Sequence, residues 1–292
     1  MIKLKNKYLT AKIDEKGCQI ASLKEGEKEY IWQKDPEIWN SCGPVLFPFC
    51  GGLKDDKFIY EGVEYPSLRH GFAKTKEFDV KLLSRSSVTL SLVSDEETLK
   101  IYPFDFELNV TFTLLKKQMI VKYWVKNTGN KDMYFSIGAH PAFLCPFHGE
   151  QDKQGYGLQF DGLTTQIHHH GNTPDGMAIM EDEILSLENG CVTFSEGFFD
   201  KCTYMVEGKQ TNGVSLIDRE GRPYVTVKFD APLFAIWSPE GKNAPFVCIE
   251  PWYGRCDAVD FAGELKDRDY ENKLAAKESF TAAYQMIFQT VD

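Results

Sequence analysis

Apolar and polar residues alternate with a period of two along much of this chain. The pattern is clearest at 106–114 and 119–125, two segments separated by Lys116-Lys117-Gln118, and again at 280–288. Because successive side chains of a strand point to opposite faces, this alternation predicts strands with one buried face. The first two segments together predict a long antiparallel hairpin.

Less regular segments complete the prediction. Residues 58–60 and 63–65 predict a second hairpin, and 35–39 predicts a brief helical turn. Between 145 and 190 the alternation fades among Gly, Asp, Gln and His, which predicts long loops with short strands inside one domain. No helical periodicity is long enough to cover a parallel sheet. The predicted fold class is all-β, a large antiparallel β-sandwich with few short helical turns, forming a single domain over 1–292.

Composition narrows the possible partners and the compartment. The chain has 292 residues, is 42% hydrophobic and carries a formal net charge of −10, which argues against nucleic acid or an anionic membrane as partner. Its first residues lack the apolar core of a signal peptide, and its apolar runs fall short of the roughly 20 residues that span a bilayer. The 8 cysteines are scattered without a C-x-x-C pair. These features predict a cytoplasmic protein.

Several kinds of chemistry have no motif in the sequence. A Gly-rich phosphate loop is absent, so a nucleotide cofactor is not expected, and no G-x-S-x-G nucleophile motif occurs. The run His168-His169-His170, with His148 upstream, suggests metal binding. Adjacent strand residues alternate in direction and the run leads into a polar, Gly-rich segment, so the pattern favours a solvated loop over a metal site.

Three residues stand at the ends of apolar segments. Glu250 follows Val247-Cys248-Ile249, a predicted buried strand, and directly precedes Pro, Trp, Tyr and Gly. His70 and His140 each lie at a break between predicted strands, where a rigid scaffold can present a side chain to a cleft. Each residue taken alone is also compatible with a structural role, as a paired buried carboxylate or a turn histidine. Together they form a set of one carboxylate and two imidazoles.

Five segments occur in order along the chain: Pro44-Val45-Leu46-Phe47-Pro48, Arg69-His70-Gly71-Phe72-Ala73, Gly138-Ala139-His140-Pro141-Ala142-Phe143, Ile236-Trp237-Ser238 and Cys248-Ile249-Glu250-Pro251-Trp252-Tyr253-Gly254. This ordered series resembles the aldose 1-epimerase (galactose mutarotase) superfamily, and more narrowly its LacX-type branch. The resemblance covers almost the entire chain. It implies the β-supersandwich fold of that superfamily, with a sugar held in a cleft over one sheet.

The resemblance also implies roles for individual residues. Glu250 matches the general base, His140 the general acid and His70 a second imidazole that binds or polarises the sugar. Trp237 and Trp252 are expected to form aromatic walls of the site.

Two further positions follow from the same resemblance. Asp200, in Phe199-Asp200-Lys201-Cys202, loosely matches an aspartate that binds sugar hydroxyls. Relatives commonly have Gly-Arg where this chain has Gly51-Gly52, so a guanidinium that usually reaches the sugar is missing, and Arg69 is a candidate replacement.

The implied activity is exchange of the α and β anomers of a free hexose such as galactose or glucose. One base and one acid suffice for this reaction, and neither a metal nor an organic cofactor is required. Three alternatives stay open: an epimerase for phosphorylated hexoses using Arg69, Lys54 and Lys74, a non-catalytic sugar-binding module, and a glycosidase or lyase using Asp200 with Glu250. The sequence specifies neither the sugar nor the oligomeric state.

Overall fold

Antiparallel strands make up most of the structure, a computed structural model that describes residues 1–162, 164–201 and 203–290. The strands are β1 Ile2–Lys5, β2 Leu9–Asp14, β3 Gln19–Glu25, β4 Lys28–Glu29, β5 Lys57–Tyr60, β6 Val63–Pro66, β7 Asp79–Leu83, β8 Ser87–Val93, β9 Phe106–Leu115, β10 Gln118–Asn127, β11 Met133–Phe135, β12 Ile137–Gly138, β13 Ala142–Leu144, β14 Gly157–Phe160, β15 Gln166–Asn172, β16 Ala178–Ser186, β17 Cys191–Thr193, β18 Tyr204–Glu207, β19 Gly213–Ile217, β20 Pro223–Phe229, β21 Leu233–Trp237, β22 Phe246–Tyr253, β23 Asn272–Leu274 and β24 Ser279–Phe288. The helical segments are α1 Glu96–Ile101 and 3₁₀ turns at Lys54–Asp56, Ala73–Thr75 and Leu265–Asp267. None of the helices in these described ranges is long and apolar enough to cross a membrane.

Two large sheets dominate the architecture. A nine-stranded sheet has the order β17-β14-β19-β20-β24-β10-β9-β8-β7, and a seven-stranded sheet contains β12-β22-β21-β18-β15-β16, with β13 also pairing with β22. A four-stranded sheet is formed by β1 to β4 in sequence order. The predicted all-β antiparallel fold class is therefore confirmed.

The apolar faces of the two large sheets pack together. The rings of Tyr253, on β22, and Phe280, on β24, lie 5.7 Å apart between centroids, and those of Phe229 and Phe234 lie 5.0 Å apart. The Tyr253 hydroxyl donates a hydrogen bond to the carbonyl oxygen of Ala283, 3.2 Å away. One buried cluster extends from Ile2 to Phe288, so this interface is the main core. The single-domain organisation over 1–292 stays a prediction.

The most regular alternation gave the correct elements. The segments predicted as a long hairpin form β9 and β10, which pair in register from Phe106 opposite Asn127 to Leu115 opposite Gln118. The smaller predicted hairpin forms β5 and β6. Residues 280–288 lie in β24, the centre of the nine-stranded sheet.

The predicted loops at 145–190 were partly wrong, because β15 and β16 form a long hairpin there. In β15 the inward positions are Ile167, His169 and Gly171, so Ile167 is the one large apolar residue of the buried face and no alternation signals a strand. In β16 almost every residue is exposed, so the sequence of this strand does not alternate between apolar and polar residues in a way that marks a buried face. Residues 35–39 form a turn closed by a bridge between Asp35 and Trp39, not a helical turn.

Candidate active site

A cavity of about 600 Å³ opens over β21 and β22. That volume falls in the range of small-molecule sites, which is about 300 to 1,000 Å³. Trp237 of β21 and Glu250 and Trp252 of β22 contribute to its walls. The cavity is therefore built on the seven-stranded sheet, on the face that does not pack against the nine-stranded sheet.

The alternation along β22 explains why Glu250 reaches the cavity. Val247 and Ile249 belong to the main core, whereas Cys248, Glu250 and Trp252 share the opposite face. Ala235 lies directly opposite Glu250 on β21, and its small side chain leaves space beside the carboxylate. The strand places a carboxylate that is 1% exposed at the floor of the cavity.

His140 comes to the same place from the chain that follows β12. The backbone N–H of Ala139 donates to the carbonyl oxygen of Pro251 at 3.0 Å, which ties this segment to β22. Nε2 of His140 then lies 3.4 Å from Oε2 of Glu250. The imidazole packs between Trp39 and Trp237, with ring centroids 5.0 and 5.4 Å away.

His70 enters from a third segment and is fixed by Gly51. The backbone N–H of His70 donates to the carbonyl oxygen of Gly51 at 2.7 Å, and the N–H of Gly51 donates to Nδ1 of His70 at 3.0 Å. Because Nδ1 accepts, the proton of the neutral ring lies on Nε2. The ring centroid is 5.4 Å from that of His140, so a hydrogen-bond donor lines the cavity beside the His140–Glu250 pair.

Burial disfavours the charged forms of all three groups. It raises the pKa of Glu250 well above its ordinary value, an effect that the nearby positive charge of Arg69 opposes. Burial lowers the pKa of His140 to about 3, with Arg69 and Lys74 adding to the effect. The pKa of His70 is also well below its ordinary value, mainly through burial. Before a ligand binds, burial therefore favours neutral imidazoles and shifts the Glu250 carboxyl group towards its protonated form.

Three buried polar atoms of the site lack hydrogen-bond partners. They are Oε2 of Glu250, Nδ1 of His140 and Nε1 of Trp252. A buried polar atom without a partner costs free energy, about 1 to 3 kcal/mol in typical cases. Such atoms are therefore expected where a ligand supplies the missing bond, and here two of the three belong to the groups predicted to move protons.

Arg69 stands at the cavity rim and is held by the turn at 173–177. Its guanidinium donates to the carbonyl oxygen of Pro174 at 3.1 Å, and a Cβ on Gly176 would lie 2.7 Å from its Nε. The same turn covers Gly52, where an added Cβ would meet the carbonyl oxygen of Asp175 at 2.3 Å. The turn thus occupies the space that a side chain at position 52 would need, and it positions Arg69 instead.

Comparison with known proteins agrees with this geometry. The family model for aldose 1-epimerase matches residues 1–266. The chain belongs to the aldose 1-epimerase family. It is also 32% identical to the plasmid-encoded protein LacX of Lactococcus lactis subsp. lactis, over 98% of both chains.

Solved structures give the same result at the level of the fold. A galactose mutarotase related enzyme from Lactobacillus acidophilus superposes with a TM-score of 0.92 at 30% identity, covering 99% of this chain and 97% of that one. A galactose mutarotase-like protein from Lactobacillus casei gives a TM-score of 0.91 at 28% identity, covering 99% of this chain and all of that one (100%). This member of the aldose 1-epimerase family is thus similar to them over nearly its whole length.

Most of the residues predicted from the sequence of this aldose 1-epimerase family member meet in one place. All of the predicted site residues except Asp200 line the cavity: Glu250, His140, His70, Arg69, Trp237 and Trp252. Asp200 instead lines a separate depression, where its carboxylate accepts a hydrogen bond from the N–H of Gly241 at 3.0 Å. Its neighbour Cys202, part of the loose motif, lies outside the described residues. The sequence match around Asp200 was too short to predict the direction in which the Asp200 side chain points.

The structure also decides two other interpretations of the sequence. Lys54, considered as a phosphate ligand, lies in a different depression and donates to the carbonyl oxygen of Phe261 at 3.0 Å. His168-His169-His170 lie on β15 and not in a solvated loop, with His169 on the buried face and the other two on the outward face. His168 contacts Asp182 at 2.8 Å, while His169 is buried against Tyr204 on the opposite face.

Sequence reasoning missed several residues of the cavity. They include Trp39, which packs on both His140 and Trp237, and Lys16 and Lys34. Trp39 lies in the turn at 35–39, and its carbonyl oxygen accepts a hydrogen bond from the indole N–H of Trp32 at 3.0 Å. No local pattern distinguishes a tryptophan or lysine in such turns from an ordinary surface residue, so only the tertiary fold reveals them.

Proposed function

We propose that the protein is an aldose 1-epimerase that exchanges the α and β anomers of a free hexose such as glucose or galactose. The observation that carries the proposal is the meeting of Glu250, His140 and His70 at one cavity. These three residues come from separate chain segments, with 3.4 Å between Nε2 of His140 and Oε2 of Glu250. The family to which the chain belongs supports a reaction of this type.

Glu250 and His140 can serve as the base and the acid of the proposed reaction. The carboxylate removes the proton from the C1 hydroxyl, the bond between C1 and the ring oxygen breaks, and the ring oxygen takes a proton from the imidazolium. The resulting open-chain aldehyde turns about the C1–C2 bond. On closure at the other face of the carbonyl, the hydroxyl group that attacks C1 returns its proton to His140, and the Glu250 carboxyl group gives its proton to the C1 oxygen, so the catalyst is regenerated without a cofactor.

Burial of Glu250 and His140 is compatible with their roles as base and acid. The two groups together hold one proton, either on the carboxyl group or on the imidazole. Hydrogen bonds from sugar hydroxyl groups to Glu250 favour its ionised form, so sugar binding shifts the proton from the carboxyl group to His140. The Nε2–H of His70 then provides a fixed donor for a sugar oxygen. The aromatic rings of Trp39, Trp237 and Trp252 restrict the plane in which the sugar can lie.

The proposal is tested by polarimetry of fresh α-D-glucose and α-D-galactose. Purified protein is expected to accelerate the decay of optical rotation towards the equilibrium value for at least one of them. Binding of the sugar, seen by calorimetry, without any acceleration of anomer exchange would instead favour the non-catalytic binding module.

The histidines of the free enzyme should not titrate near neutrality. Because burial lowers the pKa of His140 to about 3 and that of His70 well below its ordinary value, both rings stay neutral as the pH falls through 6.5, the ordinary value. We expect the proton NMR signals of these two rings to be constant between about pH 5 and 8. Spectra of His140→Asn and His70→Asn assign the signals, and a midpoint near 6.5 for either ring would contradict the burial argument.

A second substrate class, phosphorylated hexoses, is favoured by a cationic rim on the same cavity. This basic rim consists of Lys16, Lys34, Arg69 and Lys74. Of these, only Lys34 forms an ion pair within the described part of the chain, with Asp14 at 3.4 Å. In a protein of net charge −10, a cavity edge with unpaired cations would attract an anionic group.

The rim residues are held together by backbone contacts. The N–H of Gly17 donates to the carbonyl oxygen of Lys76 at 2.9 Å, so the turn that carries Lys16 packs against the 3₁₀ turn that carries Lys74. Nζ of Lys74 donates to the carbonyl oxygen of Arg69 at 2.5 Å. A phosphate on a sugar carbon remote from C1 could therefore meet two or three cations while C1 stays near Glu250.

Substitution at the rim separates the two substrate classes. If phosphorylated hexoses are the substrates, Lys16→Gln and Lys74→Gln should each lower kcat/KM for glucose 6-phosphate about 10-fold more than for glucose, because a charged hydrogen bond is lost. Lys54→Gln, outside the cavity, is the matched control. Equal effects on both sugars would leave the free hexose as the substrate.

The remaining alternative, a glycosidase or lyase, required Asp200 and Glu250 to act as a carboxylate pair. Because Asp200 and Glu250 line different depressions, they cannot flank one glycosidic bond.

A further inference from the structure

The Cys248 thiol lies beside the proton-transfer pair of Glu250 and His140. It lies two residues before Glu250 on the same face of β22, and His140 stands beside both. One nitrogen, one sulfur and one oxygen ligand atom from these residues lie within 4.8 Å of one another, and all three residues are buried. Among the residues that the structure describes, this is the one group of His, Cys, Asp and Glu side chains arranged closely enough to hold a metal ion.

The donor set suits a borderline-soft divalent cation. Zinc binds thiolate, imidazole and carboxylate at about 2.0 to 2.3 Å, and three protein ligands leave its fourth position open to solvent or substrate. Magnesium and calcium prefer sets made of oxygen atoms, so a thiolate selects against them. Oε2 of Glu250, which is buried and lacks a hydrogen-bond partner, is a ready ligand atom within this set.

We propose that His140, Cys248 and Glu250 form an inhibitory site for zinc and chemically similar cations. The ion enters through the cavity, and side-chain rotations bring the three ligand atoms to bonding distance. The Cys248 thiol releases its proton to solvent as the sulfur–metal bond forms, and any proton on Glu250 leaves in the same way. Bound metal occupies the lone pairs that would otherwise accept sugar protons, so metal and sugar exclude each other.

Inhibition rests on the proposed function, whereas metal binding does not. The two are therefore separable by measurement. Binding is followed on the protein without sugar, and anomer exchange is followed separately on protein treated with a chelator.

The exposed histidines of β15 are the competing explanation for any metal binding. His168 contacts Asp182, and His170 lies 3.0 Å from the carbonyl oxygen of Glu181, both near the surface. The double variant His168→Ala/His170→Ala removes them and leaves the cavity intact. It is the matched control for variants of Cys248.

Cobalt(II) provides the direct test because a thiolate ligand gives a sulfur-to-cobalt charge-transfer band. We expect this band on titration of the wild-type protein and of His168→Ala/His170→Ala. It should be absent in Cys248→Ser and Cys248→Ala, with cobalt affinity lowered at least about 100-fold. Thermal melting identifies which of these two core substitutions is folded, and the comparison uses that variant.

Kinetics give the second readout. Zinc should raise the apparent KM for the sugar without lowering kcat in the wild-type enzyme, and a chelator should restore the original KM. The folded Cys248 variant should keep the activity but lose its sensitivity to zinc. A wild-type protein without the charge-transfer band, or equal zinc inhibition of wild type and the folded Cys248 variant, would overturn the proposed site. Absence of anomer exchange in chelator-treated wild type would instead count against the proposed function alone.

Discussion

Glu250→Gln is expected to lower the rate of anomer exchange by about 10²- to 10⁴-fold while the protein stays folded. The amide keeps the shape of the side chain but cannot accept the proton of the C1 hydroxyl. The carboxylate is 1% exposed, so solvent cannot easily take its place as base. Polarimetry with fresh α-D-galactose or α-D-glucose measures the rate, and circular dichroism checks the fold.

Asp14→Asn is the control for charge alone, because Asp14 lines the same cavity and pairs with Lys34 at its edge. It should retain most of the activity. His140→Asn should lose activity to a similar extent as Glu250→Gln, and the double variant should be little worse than either, since the two groups act as a unit. A Glu250→Gln protein with wild-type rates would show that the base is elsewhere.

Arg268→Met is expected to lower the free energy of unfolding by about 3 to 5 kcal/mol, the largest stability effect predicted for this protein. The guanidinium is buried and contacts Asp257 at 2.7 Å and Glu271 at 2.5 Å. It also donates to the carbonyl oxygen of Arg255 at 2.6 Å. Removing it leaves two buried carboxylates without their counter-charge. Urea unfolding followed by tryptophan fluorescence measures the change.

Lys266→Met is the matched control, because Lys266 pairs with Glu264 near the surface, where its side chain is 54% exposed. Its substitution should cost no more than about 1 kcal/mol. The N–H of Asp257 donates to the carbonyl oxygen of Gly52 at 3.1 Å, so Arg268→Met should also disturb the loop that holds His70. If the two variants unfold at the same urea concentration, the buried network contributes little.

The sequence was most informative where burial imposes a period of two. β9, β10 and β24 each bury one face, and their alternation predicted them nearly to the residue. β16 was missed because its side chains are exposed on both faces, so pairing with β15 specifies the strand and hydrophobicity does not.

The residues of the candidate site likewise fall into those that the sequence predicted and those that it did not. Glu250, His70 and His140 lie in apolar or turn-forming segments that are recognisable locally, and the structure brings all three to the cavity. Trp39, Lys16 and Lys34 come from turns that reach the cavity only through long-range packing. Asp200 was assigned from a short match, and the direction of a side chain in a loop depends on contacts that a single sequence does not contain.

The turn at 173–177 makes positions 52 and 69 interdependent. An arginine at 52 would collide with the carbonyl oxygen of Asp175, and moving the turn aside would remove the carbonyl group of Pro174 that orients Arg69. The two positions are therefore epistatic: a guanidinium can be supplied from one or the other, but a single substitution cannot relocate it. Transfer of the cation from 69 to 52 requires exchange of the whole turn, and evolutionary change at this rim would have to proceed through insertion, deletion or remodelling of that segment.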